Sequence, residues 1–174
     1  MPKLLFIPGS LRAASSARAT VRTLAAAIAT EAEVTVAEIG TLPHYNADLK
    51  DDPTVAAFIR QVGDADGVVL VTPEYNYSVP GVLKNAIDWA SRPAFASVFK
   101  DKPCLVVSVS GGALGGVRAQ GHLKYVLNGM LAKVHPSREI VVPSANDKVR
   151  DGKLEDEAIV GFALQTLREF MAGL

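Results

Sequence analysis

Five short apolar runs, separated by longer stretches of helical period, constrain this chain more than any other feature of its sequence. Lys3 to Pro8 is apolar apart from its ends, the pattern of a strand covered on both faces and shielded from water. Glu33 to Glu38, residues 67–72 ("GVVLVT"), Pro103 to Ser110 and Arg138 to Val142 read as the second to fifth strands. Helical patterns lie between them. From Ser16 onward, Val21, Leu24, Ala25 and Ile28 recur on one face. Further helices are expected from Pro53, from Pro80 to Arg92 with Pro93 as the stop, over Val117 to Leu131, and from Leu154 to Ala172. Residues 40–52, with Pro43, Asn46 and the pair Asp51-Asp52, read as a loop ending in a solvated or helix-starting charge. This alternation predicts an α/β fold, a doubly wound five-stranded parallel sheet with helices on both faces.

The 174 residues, 49% of them hydrophobic, are enough for one domain spanning 1–174 with a sizeable core, and no repeat, low-complexity tract or linker divides them. Lysine plus arginine and aspartate plus glutamate each number 18. With no net field to gather nucleic acid or a membrane surface, neither is an expected partner, and any anion site must be local. The single cysteine, Cys104, cannot form an internal disulfide, and no closely spaced histidine joins it to hold a metal, which points to a reducing cytoplasm. The apolar run after Lys3 stops at Pro8, short of a signal-peptide core, and no other run approaches a membrane span.

Doubly wound sheets bind ligands beyond the carboxyl ends of their strands, where strand order reverses. The loops after strands one, three and four read "GSLRAASSAR", "PEYNYSVPG" and "SGGALGGVR". In loop one, Gly9 permits a sharp turn, and the first N–H groups of the following helix face outward. Arg12 can make paired hydrogen bonds to a phosphate, and Ser10, Ser15 and Ser16 add hydroxyls. Helix capping accounts for any single serine, but the combination favours phosphate. Neither Gly-x-x-x-x-Gly-Lys nor Gly-x-Gly-x-x-Gly is present, so a monophosphate is expected.

Loop two sets Tyr75, Asn76 and Tyr77 where a flat amphipathic ring could lie; a packed turn whose tyrosines cover the core edge is the competing reading. Glu74 has no histidine or second carboxylate near it in sequence and reads as stabilising the turn rather than moving protons. Ser110, Gly111 and Gly112 open loop three, a close-approach surface or simply a permissive turn. His44, His122 and His135 are isolated and read as surface or packing residues, Cys104 as a small buried apolar residue, and Trp89 as packing against the sheet or a partner subunit.

The segments "GSLRAASSAR", "TPEYNYSVPGVLKNAIDWASR" and "SGGALGGVRAQ", in this order and at these separations, resemble the NADPH-dependent FMN reductase family, above all its bacterial quinone, chromate and azo-dye reductases. The similarity extends over nearly the whole chain. It implies a flavodoxin-like fold with strand order 2-1-3-4-5, noncovalent FMN, NADPH or NADH as donor, and ping-pong transfer to a small-molecule acceptor such as a quinone, chromate, an azo compound or free flavin. A homodimer or homotetramer is implied as well. By position, Ser10, Leu11, Arg12, Ser15, Ser16 and Ala17 would surround the phosphate, with Arg12 and Ser15 as principal contacts. Pro73, Glu74, Tyr75, Asn76 and Tyr77 would lie along the ring, and Ser110, Gly111 and Gly112 would close its other side. Chemistry at the flavin requires no catalytic side chain. The chain departs from the family at Ala17, where an asparagine is frequent, and at Gly121, where a tyrosine often stands in a segment resembling a subunit contact. Two other readings share the fold: a one-electron carrier, usually strongly acidic where this chain is neutral, and a flavin-free binding module.

Overall fold

The computed structural model describes all 174 residues. Strand β1 (Lys3–Pro8) lies between β2 (Glu33–Val36) and β3 (Gly67–Pro73), and β4 (Pro103–Val109) pairs with the far side of β3. All pairings are parallel, in the order β2-β1-β3-β4-β5, where β5 is Lys133–Val134. Helices α1 (Ser16–Ala27), α2 (Pro53–Asp64), α3 (Gly81–Ala90), α4 (Val117–Gly129) and α5 (Glu157–Ala172) cover the sheet. This is the doubly wound sheet expected from the alternation, in the flavodoxin-like strand order that the family resemblance implied.

The sheet's two-residue period divides the core. Leu4, Phe6, Val69, Val71 and Leu105 join the cluster that includes Val21 and Leu24 of α1 and Leu167 and Phe170 of α5. Leu5, Ile7, Val68, Leu70 and Val106 join Phe58, Leu83, Ile87, Leu123 and Leu127, from α2, α3 and α4. Each such side chain, fully withdrawn from water, contributes roughly 1.5–3 kcal/mol. The helix starts are specified locally. Asp52 accepts from the N–H groups of Thr54 and Val55, at 2.9 and 3.1 Å, and the Thr54 hydroxyl does most to hold its carboxyl below the usual range.

Three features depart from expectation. The fifth strand, expected over Arg138 to Val142, is two pieces: β5, and β6 (Ile140–Val142), which pairs higher on the same edge of β4. Pro136 lies in the break and has no N–H to give to a ladder. A short 3-10 helix (Ala145–Lys148) leads into an antiparallel hairpin of β7 (Val149–Arg150) and β8 (Lys153–Leu154). Leu154 therefore belongs to a strand, its N–H donating to Thr23 Oγ1, and α5 begins later, where Asp156 accepts from Ile159 N at 3.0 Å.

Trp89 is buried on α3 and donates from Nε1 to Pro43 O at 2.7 Å. Asn85 reaches the same carbonyl at 2.9 Å, so one helix face fixes the loop over residues 40–52. Cys104 is buried as expected, its thiol pushed up to about 12 by burial. No helix is long and apolar enough to cross a membrane.

Candidate active site

Loops one, two and three meet at the carboxyl ends of β1, β3 and β4, around a cleft of about 180 Å³. Ser10, Arg12, Ser15, Ser16, Ala17, Pro73, Glu74, Tyr75, Ser110 and Gly111 line it, joined by Ala14, Val109 and Asn146, which sequence reasoning did not select. Leu11, Asn76, Tyr77 and Gly112 stand off its wall. Leu11 leans over Gly40, where an added Cβ would lie 2.8 Å from Leu11 Cδ2. Asn76 and Tyr77 form the tip of loop two, and Gly112 donates back to Ser110 Oγ at 3.1 Å. A depression of about 220 Å³ at the opposite end of the sheet, beside Lys3, Glu33 and Asp64, contains none of the expected residues.

One end of the cleft is built for an anion. Ser15 caps α1 by accepting from Arg18 N at 3.2 Å, which leaves its hydroxyl hydrogen free to donate; capping and ligand binding coexist in this residue. The N–H groups of Ser16 and Ala17, first in the helix, have no backbone partner. The two arginines of the segment divide the work. Arg18 donates to Ser10 O at 3.0 Å and grips Glu38 at 2.8 and 2.9 Å, which raises its own pKa and holds the Glu38 carboxyl below its ordinary value. Arg12 is exposed, and no carboxylate of the chain pairs with it.

Gly9 bends the chain at the end of β1, as expected, while its N–H still reaches the ladder, donating to Val71 O at 2.8 Å. A side chain there would crowd its neighbours, since a Cβ would lie 3.0 Å from both Leu83 Cδ2 and Pro73 Cδ.

The other end is bounded by loops two and three. Tyr75 and Ser78 exchange backbone hydrogen bonds of 3.1 Å, with Asn76 (φ 48°) and Tyr77 (φ 67°) between them. Two positive φ values define this tight turn, and for a tyrosine that conformation costs on the order of 1–2 kcal/mol. Tyr75 and Tyr77 are 46% and 66% exposed, so they do not cover the core edge, which disposes of the packed-turn reading. Tyr75 Oη lies 3.1 Å from Ser10 Oγ, and the Arg118 guanidinium lies 4.4 Å from the centre of the Tyr77 ring.

Glu74 reaches its turn through another element: its carboxylate accepts from the N–H groups of Arg118 and Ala119, at 3.2 and 3.3 Å, and from Arg118 Nη1 at 3.1 Å, and that guanidinium lies against Tyr77.

Loop three is supported from beneath. Ser108 Oγ donates to Gly115 O at 2.8 Å and accepts from Gln120 Nε2 at 3.0 Å. Beyond β6, Ser144 N donates to Gly112 O and Ala145 N to Ser110 O, at 3.0 and 2.9 Å. Those bonds carry Asn146 into the cleft, with Oδ1 3.5 Å from Ser16 Oγ and Nδ2 2.8 Å from where a Cβ on Gly111 would lie. The available signal was topological: this segment also follows a strand's carboxyl end.

The histidines lie off the cleft wall. His122 Nδ1 is 2.9 Å from Ser78 Oγ, and His135 packs edge-on against Phe170. The Ser78–His122 pair lies off the cleft, and no hydroxyl lining the cleft is paired with a histidine, so the side chains there hold and orient a bound group that brings its own chemistry.

A family model described as NADPH-dependent FMN reductase matches residues 2–147. A 2-hydroxy-1,4-benzoquinone reductase of a Burkholderia species is 46% identical over 126 residues, 71% of this chain and 69% of that protein. An NAD(P)H-dependent FMN reductase of Pseudomonas aeruginosa is 39% identical over 161 residues, 89% of this chain and 85% of that one. Among solved structures, the flavoenzyme FerB of Paracoccus denitrificans, an NAD(P)H:(acceptor) oxidoreductase, is 32% identical with a TM-score of 0.85, covering 98% of this chain and 95% of its own. The chain belongs to the NADPH-dependent FMN reductase family, as an enzyme of flavodoxin-like fold that uses FMN with NAD(P)H as electron donor.

Proposed function

We propose that this chain reduces quinones with electrons from NAD(P)H, by ping-pong turnover at FMN held between loops one, two and three of a single domain. The observation that carries this reading is the asymmetry of the cleft: unpaired Arg12 and the free N–H groups of Ser16 and Ala17 at one end, tyrosine and glycine loops at the other. Arg12, Ser15 and Ser16 would hold the phosphate, with Ala17 contributing only its backbone. Ser10 and Asn146 lie between the two ends. Pro73, Glu74, Tyr75, Asn76 and Tyr77 would frame the ring on one side and Ser110, Gly111 and Gly112 on the other, with Leu11 at the rim. Bound there, FMN would supply hydride acceptance from NAD(P)H and two-electron transfer to the acceptor, and these residues would hold and orient it.

Tyr75 and Tyr77 leave that end of the cleft open to solvent, so donor and acceptor take the same approach in turn. Quinone as acceptor is supported by the benzoquinone reductase among the relatives; azo compounds, chromate and free flavin would compete for the same approach. Arg118 and Lys84 are already engaged by Glu74 and Asp88, so neither is assigned to the nucleotide donor. Use of NAD(P)H supports a cytoplasmic setting. A homodimer or homotetramer is supported by Leu114, Val117 and Tyr125, exposed at and just before α4.

Initial rates over a grid of NADPH and benzoquinone concentrations test the reading. Parallel double-reciprocal lines are expected; intersecting lines would replace alternation with a ternary complex. Absence of quinone-dependent NADPH oxidation would sink the assignment in favour of an electron carrier or binding module.

A further inference from the structure

We infer that Glu74 is a positioning residue that caps α4 from outside the helix and thereby holds loops two and three in one frame around the cleft. The need for an outside cap arises at Gly116, the residue before α4. Its φ is 82°, and an added Cβ would lie 3.0 Å from Val109 O and 3.1 Å from Ser108 Cβ, so only glycine fits. Glycine brings no side chain to satisfy the helix's first N–H groups. Glu74, 44 residues earlier than Arg118, supplies the acceptor. Its own N–H bonds to Val109 O at 3.3 Å, which sets it at the end of β3 beside the end of β4.

The cap also governs loop two. Carboxylate oxygen Oε2 takes both backbone donors, and Oε1 takes the Arg118 guanidinium that lies against Tyr77. His122, one turn further along α4, meets Ser78 on the other side of the same tight turn. The turn that holds Asn76 and Tyr77 in their left-handed conformation, closed by the Tyr75–Ser78 backbone bonds, is thus met on both sides by the first turns of α4. Both oxygens of Glu74 are occupied by α4, and the side chain is only 11% exposed, an arrangement for holding the loops and not for delivering a proton to the cleft.

The inference rests on the proposed seat of the flavin ring beside loop two, and its test separates the two. Backbone amide exchange at Arg118 and Ala119 is measured by NMR on flavin-free wild type, Glu74→Ala and Glu74→Gln. FMN and riboflavin affinities are measured by fluorescence titration at a temperature where all three are folded. Glu74→Ala should speed both amides at least tenfold and weaken FMN and riboflavin alike by about fivefold or more. Glu74→Gln, which keeps an acceptor but loses the ion pair, should exchange nearly as wild type and bind both flavins with intermediate affinity.

Unchanged exchange in Glu74→Ala overturns the cap. Faster exchange with unchanged flavin affinities leaves Glu74 a stability element only and overturns the positioning role. Loss of turnover in Glu74→Gln at normal flavin affinity would make it a proton carrier instead. Should Glu74→Ala fail to fold, unchanged affinities in Glu74→Gln overturn the inference. If wild type binds neither flavin, the proposed function falls and the positioning role with it, while the exchange rates still judge the cap.

Discussion

Ser10 Oγ and Tyr75 Oη lie 3.1 Å apart, one hydroxyl pair joining the loop after β1 to the loop after β3. A neutral hydrogen bond contributes about 0.5–1.5 kcal/mol, so Tyr75→Phe should weaken FMN about two- to tenfold and leave the fold intact. Fluorescence titration measures the first effect and thermal melting the second. An unchanged affinity would show that the two loops keep their spacing without this contact.

Arg12→Ala tests the anion end. A charge-assisted contact contributes roughly 1.5–3 kcal/mol, so FMN should bind at least about tenfold more weakly. Riboflavin, which lacks the phosphate, should bind the variant as it binds wild type. An equal loss for both flavins would place Arg12 elsewhere than at the phosphate.

Asn76 sits at φ 48°, a conformation glycine adopts without penalty. Asn76→Gly therefore separates the side chain from the backbone: the melting temperature should hold while flavin reduction by NADPH in stopped flow slows. A bulky replacement would confuse the two effects through strain. Normal reduction in Asn76→Gly at full FMN occupancy would remove the amide from the reacting end of the cleft.

Lys148 lies 2.8 Å from Asp156 and, together with the N–H of Ile159, holds the Asp156 carboxyl below its ordinary range. Because the folded value is depressed, the stabilisation is present above the unfolded value, about 3.9, and is lost as pH falls through the folded one. Amide exchange in the first turn of α5 should accelerate below about pH 4. Lys148→Met should shrink that pH dependence, and an unaltered profile would show that the pair does not anchor α5.

Gly152 has φ 73°, and a Cβ there would lie 3.1 Å from Arg22 Nη2. Gly152→Ala should destabilise by about 1–2 kcal/mol, lowering the melting temperature by roughly 2–8 °C for a chain of this size. No shift on melting would show that the hairpin relaxes freely.

That hairpin marks where the sequence was hard to read. The long buried runs of β1, β3 and β4 announced themselves because burial on both faces demands unbroken apolar residues, and those runs placed the three loops. Two-residue strands such as β7 and β8 have no period to detect, although Asp151-Gly152 between them is a recognised hairpin turn. Arg12, Ser15 and Tyr75 were legible as cleft residues because local chemistry marks them. Asn146 and the true partner of Glu74 were not, since each depends on a contact between distant segments. Gly9 was legible as the bend after β1 but not for the crowding around it, which comes from Leu83 and Pro73.

The interruption at Pro136 bears on what the sheet offers to other chains. A long exposed strand at a sheet's margin presents an unbroken row of donors and acceptors, a template for runaway edge-to-edge association. Here one margin consists of two fragments, two and three residues long, separated by five residues that include Pro136, which cannot donate, and the other margin, β2, is four residues long. The apolar centre of the sheet is thereby sealed between margins too short and too broken to recruit a foreign strand, so a protein with 49% hydrophobic residues has little at either edge to seed an aggregate.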